Sequence, residues 1–108
     1  MTTRVTTANA DVSITAVDTY LLGDGSDYSS SQMGIELVAG TTITAAFECS
    51  IGGSAWVALN AFPSNSTTPV TSTTTAGIWR VDSSLVKVRL NVTVITGTWT
   101  LQYRPGIG

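Results

Sequence analysis

Residues 86–94 alternate strictly between branched aliphatic and polar side chains. The segment reads Val-Lys-Val-Arg-Leu-Asn-Val-Thr-Val, with an aliphatic residue at every even position. Successive side chains of a β-strand point to opposite faces, so the segment predicts a strand with one apolar and one polar face. Such strands are typical of antiparallel sheets that are packed on one side only. The residues expected in the core are Val86, Val88, Leu90, Val92 and Val94.

The same alternation predicts further strands along the chain. Together with a short apolar patch at residues 20–22, the predicted strands cover residues 12–16, 33–39, 42–51, 55–60, 77–82, 85–95 and 98–104. The sequences Gly52-Gly53 and Thr96-Gly97 have the chemistry of tight reversals, so each is predicted to close a hairpin. No stretch shows a helical period with capping residues.

Two segments are predicted as loops by their turn residues. Residues 23–27 read Gly-Asp-Gly-Ser-Asp, and residues 63–77 combine two prolines with a run of serines and threonines. Proline and the short polar residues oppose both a helix and a central strand. A loop as long as the second is usually functional or mobile.

These elements predict an all-β fold, an antiparallel β-sandwich of about eight strands that is jelly-roll-like, with a closed barrel as the alternative. The length of 108 residues fits one domain. Residues 1–10 are polar and rich in threonine, so we expect an extended polar N-terminal arm that either frays or docks on a neighbouring subunit. Residues 11–108 are expected to form a single β-sandwich domain.

Composition and charge narrow the classes of partner. Charged residues make up 11% of the chain, against about 25% in an average domain, and the net charge is −2. Binding to nucleic acid is not expected, because no basic stripe is present. No apolar run approaches the roughly 20 residues of a membrane span. The N-terminal residues lack the apolar core of a signal peptide, so a cytoplasmic site of synthesis is expected.

Few residues offer candidate chemistry. The chain has no histidine, which removes Ser-His and Cys-His triads and most zinc sites, and no cofactor or metal is predicted. Cys49 is the single cysteine, so an internal disulfide is excluded; we expect a buried thiol, with an intermolecular bridge as the alternative.

Carboxylates offer two further candidates. Glu36 and Glu48 could flank a sugar as in glycosidases if their strands were neighbours, but they are expected to be surface charges. The Asp24–Asp27 segment resembles part of a calcium loop, yet its twelfth position is Ile35 rather than glutamate.

The tryptophans and the charged residues of the C-terminal half complete the picture. All three tryptophans are expected in the core, and an exposed one would mark a contact patch. Arg80, Asp82, Lys87 and Arg89 are predicted to lie on one sheet face and to form ion pairs there. Exposed pairs stabilise by roughly 0–1 kcal/mol, so these would affect register and solubility more than stability.

Three segments carry a resemblance to a known family. Residues 77–82 read Gly-Ile-Trp-Arg-Val-Asp, residues 86–92 read Val-Lys-Val-Arg-Leu-Asn-Val, and residues 97–101 read Gly-Thr-Trp-Thr-Leu. Their order resembles a small β-sandwich module of virion structural proteins of tailed bacteriophages and prophages. The hairpin of residues 42–59 is similar as well, although its turn keeps Trp56 and lacks the aspartate of the family's Ser-x-Asp-Gly-x-x-Trp pattern.

The resemblance implies a non-enzymatic virion structural protein, first of all a capsid decoration or cement protein that is assembled in the host bacterial cytoplasm. It implies contacts with the major capsid protein or other virion proteins, and a homo-oligomer, trimer or dimer, without nucleic acid or membrane. A tail or head-fibre accessory protein and a carbohydrate-binding module are the alternatives. The candidate subunit or capsid contacts lie in the arm, in the long loop and on the following strand: Arg4, Val5, Thr6, Pro69, Val70 and Trp79.

Overall fold

The computed structural model describes residues 2–5, 11–22, 32–52, 54–82 and 87–105, and these residues form eleven β-strands and no helix. The all-β prediction is therefore confirmed, with more strands than the eight expected because several are only two or three residues long. In chain order the strands are β1 (Thr2–Val5), β2 (Val12–Ile14), β3 (Asp18–Leu22), β4 (Gln32–Val38), β5 (Thr42–Ser50), β6 (Val57–Ala58), β7 (Ala61–Pro63), β8 (Ser72–Thr73), β9 (Gly77–Asp82), β10 (Lys87–Thr96) and β11 (Trp99–Pro105).

The strands form two sheets whose apolar faces share one core. The six-stranded sheet has the order β1-β3-β10-β5-β6, with β8 also paired to β5, and the five-stranded sheet has the order β2-β11-β4-β9-β7. All pairs are antiparallel except β1 with β3, which is parallel. The two sheets stay separate, so the sandwich prediction is confirmed over the closed barrel.

Strands from the start of the chain pair with strands from its end, and strands nearer the middle pair with each other. Such nested pairs arise when one long hairpin folds back on itself. In the five-stranded sheet β2 pairs with β11 and β4 with β9; in the six-stranded sheet β3 pairs with β10 and β5 with β8. The pairs β4–β11 and β5–β10 then join the nested layers within each sheet. This is the pattern of a jelly roll, as the sequence predicted.

The chain crosses from one sheet to the other at Gly97, where the sequence predicts a hairpin. That prediction is wrong, because β10 lies in the six-stranded sheet and β11 in the five-stranded sheet. Both strands bury apolar side chains in the shared core, β10 from the six-stranded sheet and β11 from the five-stranded sheet. Gly97 has a φ of 78°, and the amide of Thr41 donates to the carbonyl of Thr96 over 3.1 Å to hold the arch.

Trp79 and Trp99 fill the core, as predicted. The core prediction for Trp56 is wrong, because Trp56 lies in the turn between β5 and β6 and is only half-buried. The Trp79 ring centroid lies 5.2 Å from that of Phe47, with the rings tilted by 53°. The indole N–H of Trp99 donates to the carbonyls of Thr42 and Thr96, over 3.1 and 3.2 Å. A β-carbon at Gly40 would lie 2.6 Å from Cδ1 of Trp99, so a glycine is required beside this ring.

A β-bulge in β10 interrupts the alternation of buried and exposed side chains after Val92. Val88, Leu90 and Val92 are buried as expected, whereas Val94 is 45% exposed. The pairing of β10 with β5 shifts between Val92 and Val94, and the extra residue turns the following side chains over. Ile95 therefore packs against the core instead, and the prediction for Val94 is wrong. Val86 lies outside the described residues.

The end of β5 also departs from its predicted alternation. Cys49 is half-buried rather than buried, and Ile51 is 81% exposed. The strand ends at Ser50, and the chain then returns as β6, which pairs with β5 through Ala58 opposite Glu48. A hairpin is thus present, but it is not the tight reversal predicted, because pairing stops at Cys49 and Val57, and the return strand covers residues 57–58 rather than 55–60. Gly53 itself lies outside the described residues. Burial raises the pKa of the Cys49 thiol, which keeps it protonated at neutral pH.

The predicted long loop contains more structure than its composition indicated. Within residues 63–77, β8 pairs with β5, and Val70 forms an isolated bridge with Ala61. The amide of Ala61 donates to the carbonyl of Val70 over 2.7 Å, and the amide of Val70 returns a bond of 2.8 Å. The unbroken-loop prediction is wrong because backbone pairing to β5 and β7 outweighs the weak strand preference of the side chains.

The first part of the predicted N-terminal arm belongs to the six-stranded sheet. Residues 2–5 form β1, and Val5 is buried in the core. Other predicted features lie outside the described residues: arm residues 6–10 and the loop at 23–27.

We predict that Gly97→Ala lowers the free energy of unfolding by about 1–3 kcal/mol, because an alanine strains the left-handed backbone. Its β-carbon would also lie 2.9 Å from Oγ1 of Thr41. Chemical denaturation of the variant and the parent measures the difference.

Gly52→Ala is the matched control, since a β-carbon there has no atom of the described residues within 4 Å. It should change the stability by less than about 0.5 kcal/mol. Equal stabilities of the two variants would contradict the role assigned to Gly97.

Candidate contact surface

A groove lies between the two arms of the segment that follows β7. It has a volume of about 490 Å³. Two stretches of chain enclose it, residues 63–66 on one side and residues 72–79 on the other, with Val70 between them. The predicted loop therefore does form a concave surface.

Local hydrogen bonds fix the shape of this groove. The amide of Thr68 donates to Oγ of Ser66 over 3.0 Å, and the amide of Thr75 donates to Oγ1 of Thr73 over 3.1 Å. Such hydroxyl-to-backbone turns compete with regular strands and explain why serine and threonine are frequent here. The amide of Ser64 donates to the carbonyl of Ile78 over 3.0 Å, which ties the turn to β9.

No described residue that lines the groove carries a charged side chain. Its polar groups are hydroxyls and one amide, and its apolar groups include Val70 and Ile78, which are 36% and 51% exposed. Trp79 lies at the floor and is itself buried, with its ring edge 3.1 Å from the position that a β-carbon on Gly77 would take. The surface suits an uncharged partner with mixed apolar and hydrogen-bonding groups.

The structure brings together only some of the candidate contact residues. Val70 and Trp79 line the same groove, and the exposed Pro69 precedes Val70 on its rim. Arg4 and Val5 lie in β1, at the opposite edge of the six-stranded sheet from β8. Thr6 lies outside the described residues. A single partner could contact both the groove residues and the β1 residues only by extending around the sandwich. The contact roles of these residues stay predictions.

A cluster of side chains on the outer face of the six-stranded sheet was not predicted. Nε of Arg89 donates to Oε1 of Glu48 over 2.7 Å, and Nδ2 of Asn91 donates to Oε2 over 3.4 Å. The guanidinium carbon of Arg89 lies 4.3 Å from the ring centroid of Trp56. The cluster fastens the turn between β5 and β6 onto the sheet, because Trp56 belongs to that turn.

The predicted ion pairs among the C-terminal charges are not formed across one face. Arg80 and Asp82 lie on β9 of the five-stranded sheet, whereas Lys87 and Arg89 lie on β10 of the six-stranded sheet. The prediction assumed that consecutive strands share a sheet, and in a jelly roll they change sheets. The guanidinium carbon of Arg80 instead lies 5.1 Å from the ring centroid of Phe62.

The paired-carboxylate arrangement of a glycosidase is likewise not formed by Glu36 and Glu48. Glu36 lies on β4 and Glu48 on β5, which belong to different sheets. Ile35 and Leu37 beside Glu36 and Phe47 beside Glu48 are buried, so the two carboxylates point away from the core on opposite outer faces. Within the described part of the chain, no three metal-ligating side chains come together.

Comparison of the chain with protein-family models, with curated proteins and with solved structures finds no match. The part of the chain that the structure describes contains no apolar helix of membrane-spanning length. A functional interpretation therefore depends on the surfaces described above and on the resemblance in sequence.

We predict a coupling of about 0.5–1 kcal/mol between Arg89 and Trp56 in a double-mutant cycle of alanine variants, because the guanidinium stacks on the indole at a partly exposed site. The free energies of unfolding of the two single variants and the double variant give this value.

A cycle between Trp56 and Arg80 is the control, since Arg80 lies on the other sheet. Its effects should add within about 0.5 kcal/mol. Additive effects in both cycles would show that the Arg89–Trp56 contact contributes nothing to stability.

Proposed function

We propose that this chain is a non-enzymatic structural protein of a bacteriophage virion, which decorates the capsid by binding the head shell and further copies of itself. The observation that carries the proposal is the uncharged groove between residues 63–66 and 72–79, in which Val70 and Ile78 are exposed. The jelly-roll pairing of strands agrees with the resemblance to small virion β-sandwiches.

The groove suits contact better than catalysis. Its hydroxyl groups have no histidine to activate them, because the chain contains none. Its apolar side chains gain free energy by leaving water, and its hydroxyls can pair with backbone groups of a partner. One patch of this kind binds weakly, but a symmetric shell repeats it many times and so raises the overall affinity.

The carbohydrate-binding alternative receives less support from the tryptophans. A module that stacks a sugar on aromatic rings needs those rings exposed on one face, and Trp79 and Trp99 are both buried. Trp56 is only half-buried, but Arg89 covers one face of its ring. A tail or head-fibre accessory role would use the same groove, and it differs from decoration in the number of copies per particle.

We predict that Val70→Asp weakens binding to capsids of the phage or prophage that encodes the chain by about tenfold or more, because a buried unpaired charge opposes the contact. Co-sedimentation with capsids purified without the protein measures the affinity. Binding by the parent should change little between low and high salt, since the groove is uncharged.

Val17→Asp is the matched control, because Val17 is 62% exposed and lies outside the groove. It should bind capsids as the parent does.

Mass spectrometry of virions gives the copy number of the chain per particle. A number that matches lattice positions supports decoration, and a handful of copies supports the tail or fibre role. Absence of the chain from virions would overturn the proposal.

A further inference from the structure

Gly34 lies in the interior of β4 although neither packing nor backbone conformation requires a glycine there. Among the described residues, the atom nearest to a β-carbon built at this position would be the carbonyl oxygen of Arg104, at 4.0 Å. Its backbone is not in the left-handed region, which among the described glycines only Gly97 adopts. The contrast with Gly40, where Trp99 excludes a side chain, is clear.

A strand glycine without such a reason weakens its sheet. It loses more conformational freedom on folding than other residues and offers no side chain to pack. Strand glycines often mark a place where a ligand or another backbone approaches the sheet closely. The open space over Gly34 is therefore a candidate binding site.

That space is a depression of about 310 Å³ on the outer face of the five-stranded sheet. Its floor is formed by Gly34 with Ile35 and Tyr103, whose side chains point into the core. Its walls are formed by four side chains: Glu36, Ile78, Gln102 and Arg104. The volume lies at the small end of the range for ligand pockets, about 300–1,000 Å³.

Strand register places the wall residues around the glycine. Arg104 on β11 is the partner of Gly34, and Gln102 is the partner of Glu36 in the next row. On the other side of β4, Ile78 of β9 is the partner of Glu36. A carboxylate, an amide, a guanidinium and an apolar group thus border one opening.

The side chain of Arg80 does not cover the depression. It is the partner of Gly34 on β9, so its side chain could lie over the glycine. Its guanidinium carbon instead lies 5.1 Å from the ring centroid of Phe62, on the strand beyond. This cation–π contact holds Arg80 on the far side of β9 from the depression.

We propose that the depression binds one ring of a neutral sugar. Each hydroxyl of a sugar both donates and accepts hydrogen bonds, and the walls supply an acceptor in Glu36, donors in Arg104 and both in Gln102. Ile78, 51% exposed, offers an apolar surface to the C–H face of the ring. The charges of Glu36 and Arg104 balance, which favours a neutral sugar over an acidic or basic one. The site is separate from the proposed capsid groove, although Ile78 borders both.

The test is titration of the ¹⁵N-labelled protein with glucose, galactose and N-acetylglucosamine, followed by amide chemical shifts. At least one sugar should shift the amides of Gly34, Glu36, Gln102 and Arg104 with a saturable dependence and a Kd in the millimolar range. Glucuronic acid and glucosamine should bind at least about threefold more weakly. Failure of all three neutral sugars to give saturable shifts, or shifts confined to other residues, would overturn the proposal.

Gly34→Thr separates binding from folding. Threonine favours strands, and its β-carbon has room, so the variant should have a Tm equal to or above that of the parent. Its side chain fills the depression, so the shifts at Glu36 and Gln102 should be lost. Gly52→Thr, the same change at an open position outside the depression, should bind sugar as the parent does. Unchanged sugar binding by a folded Gly34→Thr variant would contradict the site.

The same variant distinguishes this site from the capsid contact. Gly34 does not line the groove between residues 63–66 and 72–79, so Gly34→Thr should still co-sediment with capsids. Conversely, Val70→Asp should still bind sugar, because Val70 does not border the depression. Either proposal can therefore fail while the other holds.

Discussion

The burial of one apolar face from each sheet against the other is the interaction on which the rest of the structure depends. Phe47 and Leu90 are partners in the six-stranded sheet, and Leu37 and Leu101 are partners in the five-stranded sheet. All four side chains belong to one core cluster and are almost completely buried. Burial of a large apolar side chain contributes about 1.5–3 kcal/mol, so a core of this composition outweighs any single polar contact on the surface. The surfaces that could bind partners lie outside this core, on strands and turns that it positions.

The alternation of side chains was sufficient to predict the long strands and most of the core, because period-two burial is a local property. It did not predict the short strands β1, β7 and β8. Residues 77–82 form a strand with Trp79 inward and Arg80 outward, as their pattern predicted. Alternation says nothing about which strand lies beside which. The pairing of β10 with β5 and the crossing at Gly97 are decided by the whole core, so the predicted hairpin at Gly97 was wrong. The bulge near Thr93 is equally hidden, since one inserted residue leaves no mark in the sequence.

The candidate sites show the same division between local and distant information. The concave segment after β7 could be anticipated from its prolines and hydroxyl residues, which are local signals. The cluster of Arg89, Glu48 and Trp56 could not, because it joins residues from two strands and a turn. Gly34 was itself a signal in the sequence that none of the predictions used. A glycine inside an otherwise alternating strand indicates a β-bulge or a place where another group approaches the backbone closely. Only the coordinates distinguish these two explanations, by showing regular pairing on both sides of it.

Placement of the last two strands in different sheets fixes the jelly roll and, with it, every surface discussed above. Nuclear Overhauser effects between backbone protons across strand pairs measure this placement directly. Strong cross-strand effects are expected between Leu90 and Phe47 and between Leu101 and Leu37, and none between the paired positions of a β10–β11 hairpin. A ladder of effects joining residues 90–96 to residues 98–104 would contradict the fold and the surfaces that depend on it.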